Sequence, residues 1–536
     1  MPPSIAKGFA GGVIASLLFA WSSIVGATPV TQGPISLVWE QQAPLPGFKG
    51  GPATTLNSVS CSGKVCVAVG YLDDGISTSA IVATNASGIW VMSDITDTLG
   101  GTDAQLNSVS CLPSGCTAVG TFNNGTATQA FVASNFPSGW TETPVPTTLP
   151  NATDVFLQSI SCVTTGCTGA GYYSDGTSPH AFSLTSPAFT WVETPIARVS
   201  GGADGDQLSS VSCTDSNCTA VGTLTFTDPT TFAVTTQAFW TSSSNAWVEE
   251  PISTVTPELS AGLNAVSCTA TSCTAVGGAN QQNAIDTQAI VASDASGSWV
   301  ETPVVNPVSD SVNTTLSDIF CSDAVCNAGG SSTLATHVIP FSLSDASGAW
   351  VASSPPLDVA QTDGGFNGIT CTSATNCLAV GSAVNSGISV ELIELSAQAL
   401  QFTDVPDARA QVGVPYASQV TATGGVGATT YSVSSGQLPD GVVLNTVTGQ
   451  LVGTPTSPGV STFTMTATNI GPPAQSISTS SSISTAAATL TISVAKGSLT
   501  LAATGFDFAP LVVGAVLLTV AGAVVLCARR ESKGTL

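Results

Sequence analysis

Fourteen of the fifteen cysteines in this 536-residue chain form seven close pairs, and every pair lies in the same short phrase. The phrase reads LNSVSC-SGKV-CVAVG in its first copy and LNSVSC-LPSG-CTAVG in its second, and successive copies begin 50 to 55 residues apart. Strand-like content repeated at a fixed period of this length is typical of a β-propeller or a solenoid, and not of an ordinary enzyme domain. The pairs are Cys61/Cys66, Cys111/Cys116, Cys162/Cys167, Cys213/Cys218, Cys268/Cys273, Cys321/Cys326 and, with one extra residue between, Cys371/Cys377.

A tryptophan recurs with the same period, 29 to 34 residues after the first cysteine of each of the first six copies. The seventh copy has Leu400 in that place, and Trp39 is left over upstream of the first copy. Trp39 precedes the next cysteine by 22 residues, and the other tryptophans do so by 21 or 22. We therefore expect the strand around Trp39 to complete the last repeat and close a ring of seven blades, which leaves no unpaired strand edge at the closure. A parallel solenoid is the alternative.

Each repeat contains four strand signals in a fixed order, which around Cys268 are LNAVSC, CTAVGG, DTQAIVAS and WVETPV. The runs are rich in valine, alanine, threonine and aromatic residues and are separated by clusters of glycine, serine, asparagine and aspartate, as strands and hairpins should be. The sequence thus predicts an all-β chain. The glycine that ends AVG is expected where strands converge near the axis and a side chain does not fit. These glycines are Gly70, Gly120, Gly222, Gly277 and Gly381.

The turn before the tryptophan reads SDASGSW at Ser293–Trp299 and SDASGAW at Ser344–Trp350. It resembles the Asp-box turn of sialidase-type propellers, in which an acidic residue, a glycine and a tryptophan stabilise one hairpin away from the ligand face. The glycine is shifted here by one position, and the aspartate becomes asparagine or is missing in some copies. The resemblance implies that these acidic and amide residues brace hairpins rather than bind a ligand.

Two cysteines separated by four residues can form a hairpin disulfide, a metal pair or a redox pair. Metal sites of this kind usually need further cysteine or histidine ligands nearby, but the chain has only His180 and His337, and neither recurs with the period. A redox motif would occur once and with a tighter spacing. We therefore expect seven structural disulfides, each contributing about 2 kcal/mol in the loop-entropy treatment. Stable disulfides belong outside the reducing cytosol.

Both ends of the chain carry predicted targeting segments, an export signal and a membrane anchor. Residues 1–27 combine Lys7, an apolar stretch and a small-residue end, as a secretory signal peptide does, with cleavage expected after Ala27. The apolar run over 508–528 is long enough to span a bilayer as one transmembrane helix. The basic tail at 529–536 is expected to remain in the cytoplasm.

The linker at 497–507, which precedes this run, contains the pentapeptide LAATG. The order of pentapeptide, apolar span and basic tail resembles the cell-wall sorting signal of Gram-positive surface proteins, in the L-A-x-T-G form of actinobacteria. The resemblance implies that a sortase thiolate attacks the Thr504 carbonyl, releases Gly505 and passes the acyl group to an amine of a cell-wall precursor. A single-span anchor with a chance pentapeptide is the alternative. The residues of the motif are Leu501, Ala502, Ala503, Thr504 and Gly505.

Residues 402–496, which follow the predicted propeller of residues 28–401, lack cysteine. The phrase G-x-LP-x-G-x-x-L-x-x-x-TG-x-x-x-GTPT at 436–456 resembles the immunoglobulin-like, cadherin-like modules of bacterial surface proteins. The resemblance implies a β-sandwich that acts as a stalk, with its last strand at ATLTISV after a Ser/Thr/Ala-rich insertion at 471–488. Cadherin-related sandwiches bind Ca²⁺ through clustered carboxylates, and only Asp404, Asp407 and Asp440 are at hand here. We expect no cofactor, with Ca²⁺ as the remaining alternative.

The charge balance restricts the function. Residues 28–504 contain five basic and 31 acidic residues, a net charge of −26, which excludes nucleic acid as a partner because its phosphates need basic contacts. Sialidase-type catalysis needs three arginines and the propeller has only Arg198, while neither histidine stands in a recognisable nucleophile phrase. We therefore assign no catalytic residue and no metal site. A paired-carboxylate hydrolase stays open because acidic residues are plentiful.

We expect any ligand site on the face formed by the loops between the second and third strands and between blades. The repeats differ most there, and variable loops on a rigid scaffold usually carry recognition. Four aromatic residues are expected to be exposed on this face, where they could stack on sugars or anchor a protein partner: Tyr71, Tyr172, Tyr173 and Phe226.

The predicted function is a non-catalytic cell-surface protein that displays a propeller on a sandwich stalk for recognition or adhesion. Its expected partners are a sortase, a cell-wall precursor, the membrane through one helix, and a glycan or protein ligand. Two alternatives remain, namely an extracellular hydrolase or lyase acting on polysaccharide, and a structural coat protein without a discrete ligand.

Overall fold

The fold is described from a computed structural model of the chain. It describes residues 37–42, 53–95, 98–136, 139–145, 148–186, 191–198, 203–252, 258–281, 286–304, 311–322, 325–346, 349–355, 357, 361–425, 427–469, 475–487, 517–520 and 523–526.

Seven antiparallel four-stranded sheets follow one another along these described stretches, and each is one blade of a propeller. The strands run from the inner to the outer edge of each blade in chain order, except in the seventh blade, whose outer strand is the first strand of the described residues. Strand β1 is Leu37–Gln41, the first blade is β2 Ala53–Ser62, β3 Val65–Asp73, β4 Thr78–Thr84 and β5 Val91–Asp94, and the second is β6 Thr102–Leu112, β7 Gly115–Asn123, β8 Thr128–Ser134 and β9 Thr141–Pro144. The third blade is β10 Asp154–Val163, β11 Gly166–Ser174, β12 Pro179–Thr185 and β13 Val192–Pro195, and the fourth is β14 Gly205–Cys213, β15 Cys218–Thr227, β16 Val234–Ser242 and β17 Glu250–Pro251, with a short 3-10 helix at Ser243–Asn245. The fifth blade is β18 Glu258–Cys268, β19 Cys273–Gln281, β20 Thr287–Ser293 and β21 Val300–Pro303, the sixth is β22 Asn313–Cys321, β23 Cys326–Thr333, β24 Val338–Ser344 and β25 Val351–Ser353, and the seventh is β26 Gln361–Ser373, β27 Asn376–Asn385 and β28 Ile388–Gln398 with β1.

The ring closes through the strand that the tryptophan spacing singles out. Strand β1 pairs antiparallel with β28, and Trp39 lies opposite Ser396. A second connection joins the last blade to the first, since the Asn367 side chain donates a hydrogen bond to the Leu56 carbonyl (2.9 Å). Both connections join residues more than 300 positions apart. The described residues therefore form a closed ring and not an open solenoid.

Hydrophobic clusters lie between successive blades, and each gap in the described ring contains one cluster and at least one tryptophan. In the gap between the seventh and first blades, Leu56 and Val59 pack with Val380 and Ile393. Fully burying a side chain of this size contributes about 1.5–3 kcal/mol. The stability of the propeller thus comes from contacts between blades, since a single four-stranded blade buries little by itself.

A β-bulge interrupts the first strand of every described blade just after a buried leucine or phenylalanine, as between Leu56 and Ser58. A glycine on the second strand lies opposite, and a Cβ on Gly70 would meet the Thr55 carbonyl oxygen at 1.9 Å. The predicted lack of room is therefore confirmed, but it comes from the neighbouring bulged strand and not from crowding at the axis. The glycines so placed are Gly70, Gly120, Gly171, Gly222, Gly277, Gly330 and Gly381.

A β-sandwich follows the seventh blade. Strands β30, β37, β36 and β33 form one sheet, β31, β35 and β34 a second, and β29 pairs with β32. Leu400 packs in the core of this sandwich, together with Tyr416 and Phe463. The sandwich therefore begins slightly before the predicted boundary at 402. Its strands are β29 Gln401–Asp404, β30 Arg409–Gln411, β31 Tyr416–Gln419, β32 Thr421–Thr423, β33 Thr429–Gly436, β34 Val442–Leu444, β35 Gln450–Gly453, β36 Gly459–Asn469 and β37 Gln475–Ala486.

The structure corrects the predicted insertion in the sandwich. Most of residues 471–488 form β37, which pairs along its whole length with β36. Serine, threonine and isoleucine alternate in this stretch, and Ile483 is buried in the core. Period-two alternation with β-branched residues favours a strand even where most side chains are small and polar. The strand predicted at ATLTISV lies outside the described residues.

Two short strands, β38 Leu517–Val520 and β39 Ala523–Leu526, pair within the apolar run of 508–528 that the sequence predicts to be a helix. Periodicity alone does not separate a buried strand from a helix in a short apolar run. Within the described stretches, we find no helix with the length and apolar character that a bilayer crossing needs. The predicted signal peptide at 1–27, the LAATG motif, the rest of the apolar run and the basic tail lie outside the described residues.

Candidate functional site

The fourteen repeat cysteines are paired as their spacing predicts, with one disulfide in each blade. Each disulfide joins directly opposite residues at the end of the hairpin between the first and second strands, as Cys61 and Cys66 do. The seven hairpins therefore lie on one face of the ring, which we call the disulfide face. The loops between second and third strands lie at the other strand ends and form the loop face.

The hairpin of the seventh blade differs from the other six, as its extra residue in the sequence predicts. Cys371 and Cys377 are six positions apart in the sequence instead of five, and a β-bulge between Cys371 and Ser373 accommodates the extra residue. Cys377 is 1% exposed and packs in the hydrophobic cluster that contains Trp39, while its amide donates a hydrogen bond to the Ser396 hydroxyl (3.0 Å). Cys377 is therefore part of the buried contact between the sixth and seventh blades, and it is not available to a ligand.

The serines of the repeated phrase join each blade to the next. In the first blade, the Ser60 hydroxyl accepts a hydrogen bond from the Cys111 amide (3.0 Å), and the Ser58 hydroxyl accepts one from the Val109 amide (3.3 Å). Four further serines accept from the first cysteine of the following blade at 2.9–3.0 Å. The serines so used are Ser60, Ser110, Ser161, Ser212 and Ser267.

The asparagine of the phrase stands at the bulge and reaches the next blade. The Asn57 side chain donates to the Leu106 carbonyl (2.8 Å), and Asn107, Asn264 and Asn367 make the same bond to the following blade at 2.8–2.9 Å. These bonds satisfy backbone groups that the bulge leaves without a ladder partner. The repeated phrase therefore maintains the ring, and we look for a functional site where the repeats differ.

The Asp-box-like turn braces the disulfide hairpin of its own blade. A carboxylate oxygen of Asp294 accepts a hydrogen bond from the Cys273 amide (2.6 Å), and Asp345 does the same for Cys326 (2.6 Å). Burial raises the pKa of the Asp345 carboxyl, against a smaller lowering by this bond. Other blades use asparagine or serine as the acceptor at 2.8–3.0 Å, which confirms the interpretation as a hairpin brace. These acceptors are Asn85, Asn135, Ser243 and Ser396.

Carboxylates on the loop face fix the loops. Asp74 accepts hydrogen bonds from the amides of Ser77 and Ile76 (both 2.8 Å), and these bonds, first that of Ser77, lower the pKa of the Asp74 carboxyl. Asp175 and Asp228 close the corresponding loops of the third and fourth blades, and hydrogen bonds, first those from the neighbouring threonine hydroxyls, hold the pKa of both carboxyls well below the usual range. The loops that differ most between repeats are thus held by their own side chains.

Other loop-face carboxylates connect neighbouring blades. Asp154, at the start of the third blade, accepts a hydrogen bond from the Thr128 amide of the second (2.9 Å). Asp363 of the seventh blade does the same for the Val338 amide of the sixth (2.7 Å). The abundance of acidic residues noted in the sequence thus partly serves the ring itself.

The prediction of an exposed aromatic cluster is wrong for the residues chosen. Tyr173 is 6% exposed and stacks on His180, with ring centroids 5.1 Å apart. Tyr172 is half-buried and stacks on Phe156 (4.8 Å), and burial raises the pKa of both tyrosine hydroxyls. These side chains lie on strands, where each packs against a neighbouring strand, and not on the loop tips.

Tyr71 and Phe226 are also half-buried, and Phe226 packs against the cluster between the third and fourth blades. The most exposed large apolar residues of the loop face are Ile76 (92%) and Phe232 (78%). Both stand in loops that an aspartate closes, Ile76 two residues after Asp74 and Phe232 four residues after Asp228, and this is the signal by which the sequence could have revealed them. Phe232 adopts a left-handed backbone conformation with a φ of 54°, unusual for a bulky residue.

A serine, a histidine and an aspartate do come together on the third-blade loop, but not as a catalytic triad. The Nε2 atom of His180 lies 2.9 Å from a carboxylate oxygen of Asp175 and 3.3 Å from the Ser178 hydroxyl. In a serine-hydrolase triad the acid and the nucleophile contact different ring nitrogens, so that the acid orients the base toward the serine. Here both contact the same nitrogen, and the arrangement does not activate Ser178.

Arg198 contacts the same third-blade loop. Its guanidinium pairs with the buried carboxylate of Asp206 and donates to the Pro179 carbonyl (2.9 Å). Asp206 also accepts a hydrogen bond from the Ala181 amide (2.8 Å). The arginine thereby clamps the third-blade loop to the fourth blade. Within the described part of the chain, no three histidine, cysteine or acidic side chains cluster as metal ligands.

Comparison with known proteins finds one family match, and it covers the β-sandwich. Residues 399–495 match the family model described as "Putative Ig domain", and no curated protein sequence matches the chain. Among solved structures, the chain is similar to YCF48 bound to a D1 peptide, with 14% identity, 68% of this chain and 97% of that chain covered, and a TM-score of 0.38. It is also similar to the β-propeller domain of the Trilobed protease from Pyrococcus furiosus (9% identity, 64% and 94% covered, TM-score 0.38) and to Trypanosoma rangeli sialidase in complex with sialic acid (6% identity, 67% and 58% covered, TM-score 0.37). At these TM-scores the likenesses carry no argument about activity.

Proposed function

We propose that this chain is an exported protein that holds a non-catalytic propeller at the cell surface, on an immunoglobulin-like stalk, for recognition or adhesion. The proposal rests on one observation: residues that recur in the repeats hold the ring together, and residues that vary between repeats are exposed in the loops. The repeated serines and asparagines bond blade to blade, whereas the variable loops present Ile76 and Phe232 to solvent. Exposed apolar side chains on fixed loops are suited to contact a partner, because little conformational entropy is lost on binding.

The seven disulfides support an extracellular location, because such bonds persist in oxidising compartments. In this proposal residues 1–27 direct export, the apolar run at 508–528 holds the chain in the membrane, and a sortase then transfers it at Thr504 to the cell wall. Cell-wall fractions should therefore contain the protein in covalent linkage. Thr504→Ala should move it to the membrane or the medium, and an unchanged amount in the wall would refute the sorting step.

The recognition role is tested on cells that display the full chain. Fluorescent glycans and soluble matrix proteins are offered to cells displaying the wild type, a loop-face variant with Ile76→Ser and Phe232→Ser, or a stalk control with Val447→Ser, which replaces another exposed apolar residue. Saturable binding lost in the loop-face variant and kept in the control supports recognition by the loop face. Equal binding by all three places the contact elsewhere, and turnover of any polysaccharide overturns the non-catalytic role.

A further inference from the structure

A cleft of about 580 Å³ opens on the disulfide face between the second and third blades. Its lining includes the disulfide hairpins of both blades, the Phe136 ring on the outer turn of the second blade and Trp191 of the third. A smaller cleft of about 280 Å³ lies on the other side of the third-blade hairpin, toward the fourth blade. The two clefts share Thr165, Gly166 and Ser186, and together they form a track across three blades. The larger cleft has a volume typical of small-molecule sites.

Two glycines distinguish the hairpins around the larger cleft from those of the other blades. Gly115 and Gly166 precede the second cysteine of the second and third blades, where the other blades have valine, asparagine or serine. Both glycines line the cleft and have φ values of 149° and 152°, which side-chain-bearing residues rarely adopt. A Cβ on Gly115 would meet the Asn135 side-chain oxygen at 2.8 Å. The cleft therefore opens where two such hairpins are neighbours in the ring.

The lining of this track favours a neutral ligand. The described lining residues of the larger cleft include no charged side chain, and those of the smaller cleft include one, Asp215. An anion would find no cation there, and it would approach a chain whose residues 28–504 carry a net charge of −26. Serine and threonine side chains instead dominate the polar part of both linings. A hydroxyl group can both donate and accept, which matches the hydroxyl groups of a sugar.

Phe136 adds a stacking surface to these hydroxyl groups. Its side chain is 60% exposed at the edge of the cleft, whereas phenylalanines of the blade cores such as Phe131 and Phe182 are fully buried. An exposed aromatic ring beside an uncharged, hydroxyl-lined cleft presents an apolar face of the kind that packs on the C–H face of a sugar ring.

We propose that the track on the disulfide face, from the second blade to the fourth, binds a neutral oligosaccharide. The hydroxyl groups of Thr165 and Ser186 and the ring of Phe136 would contact it. This site is separate from the loop face on which the proposed recognition role depends, so either proposal can fail without the other.

Direct binding by the purified full chain in detergent, measured by isothermal titration, tests the site. The probes are maltohexaose, cellohexaose and mannohexaose, with hexagalacturonate as an anion of the same length and a neutral hexapeptide as the alternative ligand class. We expect at least one neutral hexasaccharide to bind and the anion to bind at least tenfold more weakly. Failure of all three neutral sugars to bind, tighter binding of the anion, or a preference for the peptide overturns the proposal.

Two pairs of variants locate the contact. Thr165→Trp fills the track and should weaken binding at least tenfold, whereas Thr271→Trp, at the same exposed turn position of the fifth blade, should leave the affinity unchanged. Phe136→Ala removes the stacking ring and should weaken binding on the order of tenfold, and Phe136→Tyr should restore it. Val447→Ala, which changes an exposed apolar residue of the β-sandwich, should have no effect. Equal affinities for Thr165→Trp and Thr271→Trp would refute this location, and circular dichroism confirms that each variant is folded.

Discussion

A buried glutamate in the blade that closes the ring should make the propeller sensitive to alkaline pH. Glu394 lies on β28 with 0% of its surface exposed, and neither carboxylate oxygen has a hydrogen-bond partner among the described residues. The first blade has Ala83 at this position, packed in the cluster between the seventh and first blades. Glu394 therefore places a titratable group in the corresponding interface between the sixth and seventh blades.

The size of the effect follows from the pKa. Burial, the sole cause, raises the pKa of the Glu394 carboxyl from the ordinary 4.5 to about 8. Because the folded state holds this proton more tightly than the unfolded state, the stability is complete below pH about 4.5 and is lost as the pH rises through about 8. Each pH unit between the two pKa values lowers the free energy of unfolding by about 1.4 kcal/mol, so the total loss is about 5 kcal/mol. About 4 kcal/mol of this loss falls between pH 5 and pH 9.

Urea unfolding of the oxidised chain at pH 5, 7 and 9, followed by tryptophan fluorescence, measures this loss. Apart from Trp21, every tryptophan lies in the propeller, so the signal reports on the ring and not on the stalk. Glu394→Gln cannot ionise and should remove most of the pH dependence, even if the buried amide lowers stability at every pH. Glu40→Gln, an exposed carboxylate on the adjoining strand β1, is the control and should keep the wild-type slope. A Glu394→Gln protein that loses as much stability as the wild type between pH 5 and pH 9 would refute the reasoning.

Three further changes test the ring itself by urea unfolding. Asp294→Ala leaves the buried Cys273 amide without its acceptor and should cost about 1–3 kcal/mol, whereas Asp294→Asn keeps an acceptor and should cost less than half of that; equal costs would contradict the brace. Trp39→Ala removes a buried side chain from the closing strand and should cost about 3–5 kcal/mol, and a cost below 1 kcal/mol would mean that β1 does not close the ring. Replacing Cys61 and Cys66 together by alanine should cost about 2 kcal/mol, and peptide mapping of the wild type should find this bond and no free thiol at either position.

Features that depend on local spacing could be predicted from the sequence. The interval between tryptophan and the next cysteine assigned Trp39 to the seventh blade, and the pairing of β1 with β28 has that register. The short gap within each cysteine pair fits one hairpin, and the disulfides follow it, including the longer gap before Cys377. Such features need no knowledge of how blades are arranged in space.

Features that depend on contacts between blades could not be predicted. The bond from Asn57 to Leu106 joins residues 49 positions apart, and it exists because a bulge turns the asparagine toward the next blade. The prediction that the tyrosines are exposed was wrong for a related reason. Tyr173 stands one residue before the end of β11, where its ring still packs against His180 of the next strand, whereas Phe232 stands at the tip of its loop.

The bonds between blades also explain how the surface can vary without loss of the ring. The bonds from the serines and asparagines of the repeated phrase are made by neutral side chains of the first strand to backbone groups of the next blade, so they do not depend on the residues of the hairpin turns or loops. Between the second and third blades, Ser110 accepts from the Cys162 amide (3.0 Å) and Asn107 donates to the Leu157 carbonyl (2.9 Å), although a cleft lined by Gly115 lies beside them. A turn can therefore exchange a valine for a glycine, and a loop can gain residues, while the blades remain joined. Binding sites on such a ring should lie where neighbouring blades differ in their turns, because those positions take no part in the bonds by which the repeated phrase joins the blades.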